Sequence, residues 1–71
     1  MPLVSIDLIE GVFTTEEKQN MIKKVTDTMV SIEGENLREF TWVKINEVKQ
    51  GDWGIGGNPL TASDVKAIAA G

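Results

Sequence analysis

Two runs of strand-forming residues stand far apart in this chain, and the pattern between them is helical. Residues 3–9 alternate, with Val4, Ile6 and Leu8 on one side and Leu3, Ser5, Asp7 and Ile9 on the other, the period of a strand with one face buried. Phe40 to Val48 is rich in aromatic and β-branched residues and reads as a second strand. A connection long enough to hold a helix rules out a hairpin between them, so the two strands are expected to run parallel with a right-handed crossover.

The crossover has a clear start. Glu10-Gly11 ends the first strand, and Thr14 stands three residues before Glu17, a capping-box pattern that satisfies two orphan N–H groups and places the helix start at Thr15. Met21, Ile22, Val25, Met29 and Ile32 form one apolar stripe, the methionines serving as core filler. Gly34 suits the left-handed conformation that commonly closes a helix. Glu35-Asn36 then reads as a short polar connection, with Leu37 as an apolar anchor. In the second strand, Val43 and Ile45 are expected to face the helix, and Phe40, Trp42, Lys44 and Asn46 the other side.

One helix covers one face of a two-stranded sheet, so Leu3, Ile9, Phe40 and Trp42 are expected to be exposed in a monomer, as apolar surface of the kind that marks an interface. Size points the same way. A chain of 71 residues buries too little surface to be comfortable without a staple. With no cysteine and no histidine, disulfides and thiolate chemistry are excluded, and an ordinary zinc site is not available. Self-association is the staple that remains.

Past the second strand, Gln50 to Gly57 places glycines around Trp53 and Ile55 and reads as a short hairpin packed against a neighbour. Its Gly54-x-Gly56-Gly57 lacks the Lys-Ser/Thr and the following helix that a phosphate-binding loop needs. Thr61-Ala62-Ser63-Asp64 offers a second cap, Val65 to Ala70 a short terminal helix, and Gly71 its end. The whole is read as one α+β domain over residues 1–71. Eleven acidic against seven basic residues, a net charge of −4, with no basic run, argue against a nucleic-acid partner. Neither a signal-peptide pattern nor a membrane-length apolar run is present, so a soluble cytoplasmic protein is expected.

Pro2 has two readings. A proline is tolerated at the first residue of a strand, where its missing N–H costs nothing. If Met1 is removed, Pro2 is instead a free secondary amine, a base and a nucleophile where an amide nitrogen is neither.

Several segments together resemble a known family. Met1-Pro2-Leu3-Val4, Ile9-Glu10-Gly11, Thr15-Glu16-Glu17-Lys18-Gln19, Asn46-Glu47-Val48 and above all Trp53-Gly54-Ile55-Gly56-Gly57 look like the 4-oxalocrotonate tautomerase family, over residues Pro2 to about Gly57. The resemblance implies a tautomerase-type β-α-β protomer that pairs through its sheet, with three dimers forming a homohexamer. It implies an isomerase that moves a proton in an enol or conjugated keto acid, with Pro2 as base and no cofactor. Pro2 matches the catalytic proline, Trp53 the aromatic wall of the site, and Ile9 a residue whose backbone N–H faces substrate.

The family's two arginines do not carry over. Val12-Phe13 follows Glu10-Gly11, Trp42 stands in the second strand, and Arg38 is the sole arginine. Weak or absent activity on dicarboxylates is therefore expected, since each lost donor to a developing enolate costs about 3–4 kcal/mol. Arg38 or Lys44 is the candidate carboxylate partner, Asn46 a candidate donor to the enolate, and Trp42 a second apolar wall. Each of these also reads as a solvated or interface residue. Two alternatives stay open: a proline-dependent dehalogenase, hydratase or decarboxylase, and a non-catalytic oligomeric binding protein on the same fold.

Overall fold

The computed structural model describes residues 1–71 and follows the order strand, helix, strand, hairpin, helix. Strand β1 is Leu3–Ile9, helix α1 Thr15–Glu33, strand β2 Trp42–Val48, the hairpin strands β3 Gly54–Ile55 and β4 Asn58–Pro59, and helix α2 Ala62–Ala70. β1 and β2 pair in parallel, from Leu3 opposite Trp42 to Ile9 opposite Val48. The expected parallel pairing therefore holds, and the architecture is α+β.

Both helices start on reciprocal caps. The Thr14 hydroxyl accepts from the Glu17 N–H at 3.1 Å while the Thr14 N–H donates to Glu17 Oε1 at 2.9 Å. Thr61 and Asp64 repeat the device, at 3.2 and 2.9 Å. An ion pair of 2.7 Å between Lys18 and Glu47 ties the first turns of α1 to the end of β2. Gly34 closes α1, donating to the Val30 carbonyl at 2.9 Å, but its φ of 103° and ψ of 151° are a glycine-only extended conformation rather than the expected left-handed helical one.

Three expectations need correction. The segment Glu35–Phe40 is a 3₁₀ helix, so β2 begins at Trp42 and Phe40 does not share its exposed face. An i,i+3 ion pair between Glu35 and Arg38 supports that helix from within. Ile32 is 79 % exposed, whereas Val30, outside the expected stripe, is 5 % exposed and is the one buried residue of α1. Ile9 is buried at 6 %, although alternation puts it on the uncovered face, because the chain after β2 folds back over that end of the sheet.

The fold-back starts as a hairpin that runs two residues beyond Gly57. Ile55 pairs with Asn58 around Gly56-Gly57, whose φ values of 60° and 83° are those of a type I′ turn. Gly51 and Leu60 are joined by a backbone bond of 3.0 Å at the hairpin's base. Gln50 then reaches to α2, its Oε1 accepting from the Ala62 N–H at 2.8 Å. No helix is long and apolar enough to cross a membrane.

Candidate active site

Pro2 is half-buried at the entry to β1 and is anchored by its carbonyl, which accepts from the Trp42 N–H at 3.0 Å. At the far end of the strand, the Glu10 N–H donates to the Val48 carbonyl at 2.8 Å. A parallel ladder uses alternate residues, so the even-numbered members of β1 bond to β2. The N–H and C=O groups of Leu3, Ser5, Asp7 and Ile9 point to the opposite edge, where no strand pairs.

A cleft of about 290 Å³ lies at the Ile9 end. Its walls include Ile9, Phe13, Trp53, Leu60, Val65 and Ile68, and its sole ionisable lining residue is Asp7. Trp53 is half-buried there, and its carbonyl accepts from the Leu60 N–H at 2.7 Å, which fixes the ring-bearing residue to the base of the hairpin. Of the residues singled out from the sequence, Ile9 and Trp53 meet in this cleft. Pro2 does not, since seven strand steps of roughly 3.3 Å put it about 23 Å from Ile9.

The other candidates lie along the sheet face or beside it. Trp42 is 61 % exposed and stands opposite Leu3, itself exposed. Lys44 is exposed opposite Ser5 and takes part in none of the four ion pairs of the chain. The Asn46 side-chain amide donates to the Ser5 hydroxyl at 3.0 Å and to Asp7 Oδ1 at 3.2 Å, so its donors are engaged within the sheet. Arg38 is held by two carboxylates, Glu35 at 2.7 Å and Asp27 at 2.8 Å. These bonds raise the guanidinium pKa above its ordinary value, Glu35 contributing most, and lower those of both acids.

One end of the sheet thus carries Pro2, Trp42 and Lys44, and the other an apolar cleft with Ile9 and Trp53. Sequence reading passed over Phe13, Leu60, Val65 and Ile68 as lining residues. Val65 and Ile68 carried a usable signal in their i,i+3 spacing on an amphipathic segment, while Phe13 and Leu60 are recruited by tertiary contact and carried none.

Comparison with known proteins gives consistent results. The family model described as Tautomerase enzyme matches residues 2–63. The chain is 39 % identical over 61 residues to Probable tautomerase K2 of Dickeya dadantii, covering 86 % of this chain and 90 % of the relative. Among solved structures, a chain from a study of the 4-oxalocrotonate tautomerase isozymes of Methylibium petroleiphilum superposes with a TM-score of 0.72 at 37 % identity, covering 90 % of this chain and 97 % of that one. DmpI of Helicobacter pylori gives 0.71 at 34 % identity, covering 83 % and 95 %.

Proposed function

The chain belongs to the tautomerase family and is an isomerase of that type, and on that premise we propose that it moves a proton between carbon and oxygen positions of an enol or conjugated keto acid, with the Pro2 amine as general base. The mechanism requires loss of Met1, which turns the Pro2 nitrogen from an amide into an amine. An α-amine has a pKa of about 8, and a base that works near neutrality needs it lowered by burial or by a neighbouring cation. The neutral amine takes the proton from one position and, as the ammonium, returns it to the other. The base ends as it began, and substrate and product are isomers.

The observation that carries this reading is the placement of Pro2 and the apolar cleft at opposite ends of one strand whose outer edge is open. A second copy pairing antiparallel along that edge brings the Pro2 end of one protomer beside the Ile9 and Trp53 end of the other. The catalytic amine then meets a dry cleft, and with the paired stretch ending short of Ile9, the Ile9 N–H, which points to the same edge, is left to the developing enolate. Leu3 and Trp42, exposed in the isolated protomer, lie on the sheet face, which edge pairing leaves open to contacts between such pairs. We extend this to a trimer of dimers, in keeping with the family resemblance.

For the substrate carboxylate, Lys44 is the better placed cation. It is free of ion pairs and stands at the Pro2 end of the sheet, whereas Arg38 is already neutralised by Asp27 and Glu35. One uncommitted cation suits one carboxylate, so a mono-acid enol fits better than a diacid.

The test is ketonisation of phenylenolpyruvate beside a dicarboxylate dienol, with protein whose intact mass lacks methionine and with Pro2→Ala as control. Turnover of the mono-acid, little of the diacid and none by the variant is the expected result. Absence of turnover of either enol by protein with a free Pro2 amine overturns the reading. Light scattering on the same sample tests self-association, and a monomer at micromolar concentration removes the shared site.

A further inference from the structure

Helix α2 contributes two side chains, Val65 and Ile68, to the cleft that holds Ile9 and Trp53. Both lie past residue 63, where the match to the family model stops. Their position is fixed from the helix start. The Thr61–Asp64 cap sets the first turn, Gln50 holds the Ala62 N–H at 2.8 Å, and Ala62 is buried against Gly11. A helix anchored at one end this way presents Val65 and Ile68, one turn apart, on a single side. Val65 is half-buried, while Ile68 is 70 % exposed and lines the mouth of the cleft, where a bound apolar group would cover it.

The chemistry of the cleft restricts that partner. Eight of its nine lining residues are hydrophobic, and none is a cation. Asp7, the exception, is exposed, with one carboxylate oxygen accepting from Asn46. A carboxylate entering this space would lose water without gaining a counter-charge and would face Asp7, so both effects oppose it. An aromatic ring meets neither penalty. A cavity of roughly 150 Å³ lined by aliphatic and aromatic side chains accepts benzene, and about 290 Å³ is available here, enough for a ring with a short chain.

We propose that Val65 and Ile68 are specificity-determining residues that receive the aryl or branched-alkyl tail of a mono-acid substrate, while the acid end points away from the cleft toward the Pro2 end of the adjoining copy. The placement of the acid end rests on the isomerase reading above. The selection for an apolar tail rests on the cleft alone.

The experiment compares phenylenolpyruvate with enolpyruvate, which has no tail, on the full chain and on Ile68→Ser and Val65→Ala. The ratio of their kcat/KM values is expected to fall by about tenfold in each variant. A loss of helix or of assembly moves both substrates together and leaves that ratio alone. Calorimetric titration with 3-phenylpropanoate and with glutarate, neither of which reacts, supplies a readout free of turnover. The wild type is expected to bind the aryl acid at least about tenfold more tightly, and both variants to narrow that gap.

A ratio within about twofold of wild type in both variants, with the titration gap unchanged, overturns the assignment of Val65 and Ile68 and leaves the isomerase reading standing. If neither enol turns over but 3-phenylpropanoate still binds and the variants weaken it, the cleft keeps its ligand class and the isomerase reading falls.

Discussion

A Cβ built on Gly11 would lie 3.3 Å from the Cβ of Ala62, so the turn that ends β1 and the first turn of α2 are in close contact. Gln50 Nε2 would also lie 3.3 Å from it, and Gly11 has a φ of +86°, a conformation that a residue with a Cβ rarely adopts. Gly11→Ala therefore adds backbone strain to tight packing and is expected to lower stability by about 1–3 kcal/mol. Urea denaturation reads this as a lower midpoint, and limited proteolysis is expected to cut first within residues 62–70.

Val30 and Ile32 provide a matched pair on one helix. Val30 is 5 % exposed and Ile32 is 79 % exposed. Val30→Ala removes two buried methyl groups and leaves a small cavity, at a cost of about 2 kcal/mol. Ile32→Ala is expected to stay within about 0.5 kcal/mol of wild type, and thermal unfolding of the two variants side by side checks the contrast.

The cluster around Arg38 predicts an acid limb. Asp27 and Glu35 titrate below their ordinary values of 3.8 and 4.5, chiefly because each accepts a hydrogen bond from Arg38. Their contribution to stability is thus complete above those ordinary values and is lost as pH falls through the lowered ones. Melting temperature recorded from pH 6 to pH 2 should fall less steeply below pH 4.5 in Arg38→Gln than in wild type. The three groups are exposed, so 1 M salt should shrink the difference.

Lys44 and Arg38 should separate in kinetics. Loss of the uncommitted Lys44 ammonium removes one charged contact, so Lys44→Ala is expected to raise KM for phenylenolpyruvate by about tenfold. Arg38→Ala should leave KM within about twofold, because that guanidinium is already bonded to Asp27 and Glu35. Equal effects of the two variants would remove Lys44 from the carboxylate site.

What the sequence made legible was local. The bounds of β1, the start of α1 at Thr15 and the second cap at Thr61 follow from residues within one turn of each other, and all three stand in the structure. Phe40 shows the converse: its β propensity is real, but it stands at the end of the 3₁₀ helix Glu35–Phe40, which follows the bend at Gly34 and carries the Glu35–Arg38 pair. Burial of Ile9 comes from segments more than forty positions further along, and alternation along one strand cannot report a cover supplied from so far away. The cleft was invisible on the same ground. Pro2 and Trp53 could be singled out by type and motif, but not their placement at opposite ends of the sheet.

Only Ile9, Val30 and Ala62 are buried in the isolated protomer. Such a protomer has little interior of its own to melt, and in the proposed assembly much of the apolar surface withdrawn from water is withdrawn between copies. Dilution should then act on this protein as a denaturant does: each tenfold drop in concentration should lower its apparent melting temperature, and protein at nanomolar concentration should lose structure and turnover together.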